Sequence, residues 1–195
     1  MTHTEPILRG KVKSVYDVPG EADKVTIVFH DKVTAWNGKA VEYPPEKGKV
    51  CCLISALLFE KLEKLGVKTH YLGTKGLDTL VCRKLTIVPV EVIVRNIAAG
   101  SIVKTTTLTE GTLIQPPIVE YFLKDDAKDD PLLTHDRVRL MGIDLVDFKL
   151  EFGYDVHGDL YLADEMSPDN MRLWKRGTKE QFDKDLFRKD EGDIV

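Results

Sequence analysis

Two periodicities alternate along the chain. Residues 7–18 and 24–30 show the every-second-residue pattern of strands, clearest at Val25, Ile27 and Phe29. Turn formers in Pro19-Gly20-Glu21-Ala22-Asp23 lie between them, which predicts a β-hairpin. From Val50 to Leu65 the apolar spacing changes to three and four, through Val50, Ile54, Leu57, Leu58, Leu62 and Leu65, and Gly66 follows where a helix would stop. Short runs rich in Val, Ile and Leu at 67–72, 79–84 and 89–95 predict further strands, with a turn from Gly73 to Asp78. A middle stretch broken by Pro116-Pro117 and Pro131 reads as loop. Residues 145–155 and 159–164 then predict a second hairpin, turning near His157-Gly158.

The second hairpin carries the first candidate chemistry. Phe148, Leu150 and Phe152 share one strand face, and Asp147, Lys149 and Glu151 share the other. A turn on His157-Gly158 sets residue 156 against 159, and counting back places Glu151 opposite Asp164. Two carboxylates side by side repel unless a proton or cation intervenes. Magnesium suits the position, because it takes oxygen ligands and bridges carboxylates to nucleotide phosphates. A solvated charged strand face is the plainer alternative.

Three further segments could bind anions or build a site. Gly10-Lys11-Val12-Lys13 is expected to set two lysines on one face of the first strand, beside a glycine that lets backbone approach a ligand. It matches neither phosphate-loop pattern, and paired strand lysines also serve solubility. Val90 to Ser101 runs a strand into Ala98-Ala99-Gly100, where Arg95 and Ser101 could grip a phosphate or simply mark a strand end and turn. Asp164 to Trp174 gathers acids, a proline turn, an arginine and a tryptophan directly after a strand, the kind of loop on which sites are built. Lys124 to Pro131 has the composition of a solvated acidic loop.

Charge and composition narrow the classes. With 32 acidic against 28 basic residues among 195, the net charge of -4 argues against general nucleic-acid binding, though not against small anions in a cleft. The three cysteines, Cys51, Cys52 and Cys82, lack C-x-x-C spacing, and the five histidines form no H-E-x-x-H, so any metal is expected on carboxylates. No apolar run is long enough to span a membrane and the first residues lack a signal-peptide layout, from which a cytoplasmic location is expected.

Taken in order, Arg9-Gly10-Lys11-Val12-Lys13, Pro89 to Ser101, Leu145 to Gly153 and Ala163 to Trp174 resemble SAICAR synthetase, the phosphoribosylaminoimidazole-succinocarboxamide synthase family, and the likeness covers nearly the whole chain. The resemblance implies an α+β, two-lobed SAICAR-synthase-like fold. An antiparallel-sheet nucleotide-binding lobe would span 1–86 and a mixed α/β substrate and metal lobe 87–195, with ATP in the cleft. It implies that ATP phosphates lie near Lys11, Val12, Lys13 and Lys124, that adenine lies against Val15, Lys84 and Ile87, and that Glu151 and Asp164 hold Mg2+. Arg95, Ser101 and Arg172 would hold the ribotide phosphate, while Asn37, Asp130, Asp147, Lys149 and Asp169 would serve the substrates and the reacting end.

The implied reaction joins CAIR and L-aspartate at the expense of ATP, with Lys11, Lys13, Lys124, Asp147 and Lys149 as the catalytic set, in a homodimer. A small-molecule kinase and a nucleotide-binding pseudoenzyme are the competing classes. Three features depart from the family pattern: Asn37 where Asp is usual, Asp125 where Asn is usual, and two segments that the family carries, a helical one between positions 142 and 143 and a closing helix beyond position 195.

Overall fold

In the computed structural model the described residues are 5–35, 40–124, 132–134, 144–174, 178 and 180–181. In chain order the elements are β1 (Leu8–Arg9), β2 (Lys13–Val18), β3 (Glu21–Phe29), β4 (Val33–Ala35), β5 (Ala40–Glu42), α1 (Lys47–Lys64), β6 (Tyr71–Thr74), β7 (Thr79–Arg83) and β8 (Thr86–Ile87). Then follow β9 (Val90–Ile97), α2 (Ser101–Thr105), β10 (Leu113–Leu123), β11 (Leu132–Thr134), β12 (Asp144–Tyr154), β13 (Leu160–Ala163) and β14 (Met171–Trp174). They form two compact units. The first runs to Ile87 and also takes Phe152–Ser167; the second takes Val88–Glu151 and the chain from Pro168. The hairpin 152–167 is thus grouped with the first unit, where the sequence boundary at 86/87 had assigned it to the second.

Among the described residues, the first unit holds an antiparallel sheet in the order β1-β2-β3-β7-β6. The strand expected over 7–18 is broken: Gly10-Lys11-Val12 forms a turn, closed by Gly10 N–H donating to the Lys13 carbonyl at 2.9 Å, and β1 folds back on β2. Lys11 therefore lies in a turn and Lys13 opens β2, instead of both sharing one strand face. Val25, Ile27 and Phe29 are buried as their alternation predicts, with Cys82 and Leu80 of β7 opposite the first two.

Helix α1 forms where the sequence predicts, but the apolar stripe that announces it is not the face it buries. Val50 and Leu57 are 50% and 52% exposed, while Gly48, Cys51, Cys52, Ser55, Ala56 and Phe59 face inward. Small residues win because the helix runs close to the sheet: a Cβ on Gly48 would lie 2.7 Å from the Phe29 carbonyl oxygen. Asp31 caps the helix start, accepting from the N–H groups of Glu46 at 3.0 Å and Gly48 at 2.8 Å. At the other end Gly66, at φ 84°, completes a Schellman stop: its N–H donates to Glu63 O at 2.9 Å and that of Val67 to Leu62 O at 3.0 Å.

Phe59 packs edge-on against His70 at 5.3 Å between centroids and stacks on Tyr71 at 5.9 Å. His70 is buried, with Nε2 3.6 Å from Cys82 Sγ, and its N–H donates to Leu162 O of β13 at 2.9 Å. The three cysteines are free and buried, and burial pushes the Cys52 thiol up to about 11, so it stays protonated.

The 155–159 turn corrects the hairpin count. Asp155 N–H donates to Asp159 O at 3.1 Å and Gly158, at φ 85°, closes the turn onto Asp155, so Asp155 faces Asp159 where position 156 was expected to do so. Asp164 lies beyond the end of β13 in a left-handed conformation, φ 64°, and is not a ladder residue. The cross-strand pairing inferred for Glu151 and Asp164 loses its premise through that one extra turn residue.

In the second unit β9 lies between β10 and β12, and β14 also pairs with β12. Strand β10 runs through Pro116-Pro117, which the sequence reads as loop. Its ladder to β9 skips between Leu113 and Ile118, so neither proline is asked for a donor it lacks. Val94, Val119 and Phe148 form the core of this sheet, joined by Val92, Tyr121, Leu150 and Met171. Ile102 of α2 packs with Ala98 and Ile114 in a second cluster. No helix among the described residues is long and apolar enough to cross a membrane.

Burial in the first unit's core pushes His70 down from its ordinary 6.5 to about 4, so the folded protein keeps it neutral while the unfolded chain takes up a proton below 6.5. Its stabilising contribution is therefore complete above pH 6.5 and lost progressively as pH falls towards 4. Urea titrations of metal-free protein at pH 7 and pH 5 should show a loss on the order of 1–2 kcal/mol that is absent in His70→Gln. Equal losses in both proteins would mean that His70 is not held neutral.

Candidate active site

The first unit brings a lysine onto two acids. Lys13 opens β2 opposite Phe29, and its Nζ donates to Asp164 Oδ1 and, at 2.9 Å, to Glu165 Oε1. Burial alone would lower the proton affinity of Lys13. The two carboxylates outweigh it and hold the ammonium well above the usual lysine range. Glu165 is itself buried and accepts from the Ser167 hydroxyl, so its orientation is set from behind. The positive φ of Asp164 turns the chain so that successive acids, 164 and 165, both reach one ammonium.

The second unit brings together the phosphate candidates. Arg95, Asp147 and Arg172 stand in line across β9, β12 and β14, with Asp147 opposite each arginine. Asp147 Oδ2 accepts from Arg95 Nη1 at 3.0 Å and from Arg172 Nη1. Arg95 Nη2 donates to Ser101 Oγ at 2.9 Å, Nη1 also reaches the Ala99 carbonyl at 3.3 Å, and Nε donates to Glu120. Gly100 is required by its backbone conformation, and a side chain there would also push the Arg172 guanidinium aside. Its φ of 69° is costly for any side chain, and a Cβ there would lie 2.6 Å from Arg172 Nη2.

Glu151 forms the third centre. Only 3% of its side chain is exposed; one oxygen accepts from Lys124 and the other from Lys149 at 2.9 Å, and Lys149 also donates to Glu91 at 3.0 Å. The face of β12 expected to be merely charged is therefore buried at Asp147 and Glu151, with each acid compensated by cations. No group of three His, Cys, Asp or Glu side chains poised for a metal occurs among the described residues. Glu151 nonetheless sits with an ammonium on each oxygen, and Asp164 with one of its own, so both present hard oxygens where positive charge is already needed.

The remaining candidates are more dispersed. Val12 is in the β1–β2 turn and half-buried, and Val15 of β2 faces the side of the sheet that carries Ile27. Lys84, just past β7, pairs with Asp17 at 2.6 Å, and Ile87 on β8 is 41% exposed. Asp169 lies in the turn after Pro168, while Asn37, Asp125 and Asp130 fall outside the described residues. Sequence inspection missed Glu165, Ser167, Glu120 and Glu91. Glu165 was legible as the neighbour of Asp164, but Glu120 lies in the stretch that reads as loop and Glu91 stands on a strand with no partner indicated, and only pairing across β9, β10 and β12 brings them to Arg95 and Lys149.

The SAICAR synthetase family model matches residues 6–144 and 139–195. The phosphoribosylaminoimidazole-succinocarboxamide synthase of Prochlorococcus marinus is 39% identical over 222 positions, covering 97% of this chain and 91% of that protein. That of Methanocaldococcus jannaschii is 40% identical over 220, covering 98% and 90%. Both alignments are longer than the 195 residues of the chain, and the family match divides at 139–144, beside the place where an extra segment in relatives is expected. Among solved structures, a SAICAR synthetase in complex with ADP superposes with a TM-score of 0.86 at 37% identity, covering 96% of this chain and 91% of that one. The Ehrlichia chaffeensis phosphoribosylaminoimidazole-succinocarboxamide synthase gives 0.87 at 34%, covering 97% and 93%.

Gly100→Ala should lower stability by about 1–3 kcal/mol in urea titrations, since it forces a side chain into a backbone region reserved for glycine. A crystal structure of that variant should show the Arg172 guanidinium displaced from Asp147. An unmoved Arg172 would mean that the close packing is not what demands glycine.

Proposed function

The chain belongs to the SAICAR synthetase family, and from that premise we infer that it is an ATP-dependent ligase joining L-aspartate to the carboxylate of CAIR, with release of SAICAR, ADP and phosphate. The observation that carries the inference is the extent of the likeness. Relatives of that name align over 97–98% of the chain and 90–91% of their own length. A neighbouring structure in complex with ADP supports ATP as the phosphoryl donor.

The chemistry explains why ATP is spent. A carboxylate resists attack by an amine because neither oxygen can leave. In the inferred reaction a CAIR carboxylate oxygen attacks the γ-phosphorus, the bond to ADP breaks, and an acyl phosphate forms. The aspartate nitrogen then attacks the acyl carbon, loses its proton, and phosphate departs with the bonding pair.

Site roles are those the family resemblance implies, and the charges described above are compatible with them. Lys11, Lys13 and Lys124 would offset the negative charge spreading over the moving phosphoryl oxygens. Val12 would flank the phosphates, and Val15, Lys84 and Ile87 would border the adenine. Glu151 and Asp164, buried or half-buried carboxylates now compensated by ammonium groups, are the residues that would hold Mg2+, which would supply positive charge to the phosphates. Arg95, Ser101 and Arg172 would take the phosphate of CAIR, with Asp147 as their shared counter-ion. Lys149 would serve the reacting end, and Asn37, Asp130 and Asp169 the aspartate and CAIR. A cytoplasmic homodimer belongs to the same inference, supported by the family resemblance alone.

Phosphate release by the purified protein should require ATP, CAIR and aspartate together, one phosphate appearing per SAICAR. ADP formation with CAIR alone, with the phosphoryl group kept in a stable phosphoester and no phosphate released, would make the protein a kinase instead. Arg172→Ala should raise KM for CAIR about ten- to hundredfold and leave KM for ATP nearly unchanged, as expected for loss of a charge-assisted hydrogen bond to one ligand only. Equal changes for both substrates in steady-state kinetics would place Arg172 elsewhere.

A further inference from the structure

Arg95 has five N–H groups, and its side chain is 1% exposed. Nε–H is taken by Glu120, the two Nη1 hydrogens by Asp147 and the Ala99 carbonyl, and one Nη2 hydrogen by Ser101. A single Nη2 hydrogen is left over from these four bonds. Because Ser101 Oγ accepts from Arg95, its own O–H is directed away from the guanidinium as a donor. Two guanidinium groups and two carboxylates, Arg95, Arg172, Asp147 and Glu120, cancel in charge. The cluster can therefore prefer a phosphate only through the direction of its N–H and O–H groups, not through net positive charge.

Direction depends on Glu120. The ladder puts Ile118 opposite Arg95 and Glu120 opposite Ile93, so Glu120 is the diagonal neighbour that reaches Arg95 from the same face. Without it the buried Nε–H would lack this acceptor. The guanidinium would be free to rotate into the side-on, two-nitrogen contact that arginine favours with a carboxylate, and Asp147 is within reach for it. That rotation would withdraw Nη2 from Ser101.

We propose that Glu120 is a positioning residue for phosphate recognition: by taking the Nε–H of Arg95 it keeps Nη2 against Ser101, so that the free Nη2 hydrogen and the Ser101 hydroxyl are presented together to the phosphate of CAIR. The proposal rests on the reading that Arg95, Ser101 and Arg172 bind that phosphate. The probes that test it are CAIR and the same compound lacking its 5′-phosphate, titrated into wild type, Glu120→Leu, Glu120→Ser and Glu120→Gln. Wild type should prefer the nucleotide. Glu120→Leu should reduce that preference about tenfold or more, chiefly through weaker CAIR binding, and Glu120→Gln, which keeps an acceptor for Nε–H, should restore most of it. If Glu120→Leu does not fold, Glu120→Ser, too short to reach Arg95, carries the same expectation. Should wild type bind both probes equally, the phosphate site itself is misplaced and the proposal falls with it. Should wild type discriminate and the Leu and Ser variants discriminate as strongly, or lose affinity for both probes alike, Glu120 has only a structural role.

Discussion

The second unit is organised by the demand of one buried cation. A guanidinium removed from water is costly unless acceptors meet most of its N–H groups, and four of the five on Arg95 are met, from Glu120 on β10, Asp147 on β12, the Ala99 carbonyl and Ser101 on α2. Asp147 extends the chain of contacts to Arg172 on β14. The registers β9 to β10, β9 to β12 and β12 to β14 must all be correct for these groups to meet. A slip by one residue in any of them would send a charge to the opposite face of the sheet. Specificity of pairing and construction of the site are here one requirement.

The same logic governs the other two centres. Lys13 is held by Asp164 and Glu165, and Glu151 by Lys124 and Lys149. Charges in both are compensated before any ligand arrives. On the proposed reading, binding a polyphosphate or a divalent ion would be an exchange of partners, in which a carboxylate that gives up an ammonium would accept a metal while the ammonium turned to a phosphate oxygen. Such exchanges carry a smaller desolvation cost than burying a new charge beside an uncompensated one.

The amino-acid pattern told much about elements and less about faces. Strand alternation at Val25, Ile27 and Phe29 and the helix stop at Gly66 were legible because each rests on local backbone physics. The buried face of α1 was not, since Gly48, Ser55 and Ala56 look unremarkable until the nearness of the sheet is known. Strand β10 was hidden by Pro116-Pro117, which are tolerated only through an irregular ladder that no local rule anticipates. Arg95, Ser101, Asp147 and Arg172 could be picked out as candidates by type and position. Glu120 could not, because its role is defined by a strand 25 residues away from Arg95 in sequence.

The hairpin 152–167 has a consequence for synthesis. Leu162 accepts from the N–H of His70 and donates to the carbonyl of Lys68, so the 68–70 segment depends on a partner that the ribosome makes more than ninety residues later. The first unit is discontinuous in the chain, and its N-terminal portion emerges without the strand that completes it. It must wait, with the Lys68 carbonyl and the His70 N–H lacking their Leu162 partner, until most of the second unit has been translated. Co-translational folding of this protein would therefore run against the usual N-to-C order of domain completion, and its early intermediates are where a chaperone would be needed most.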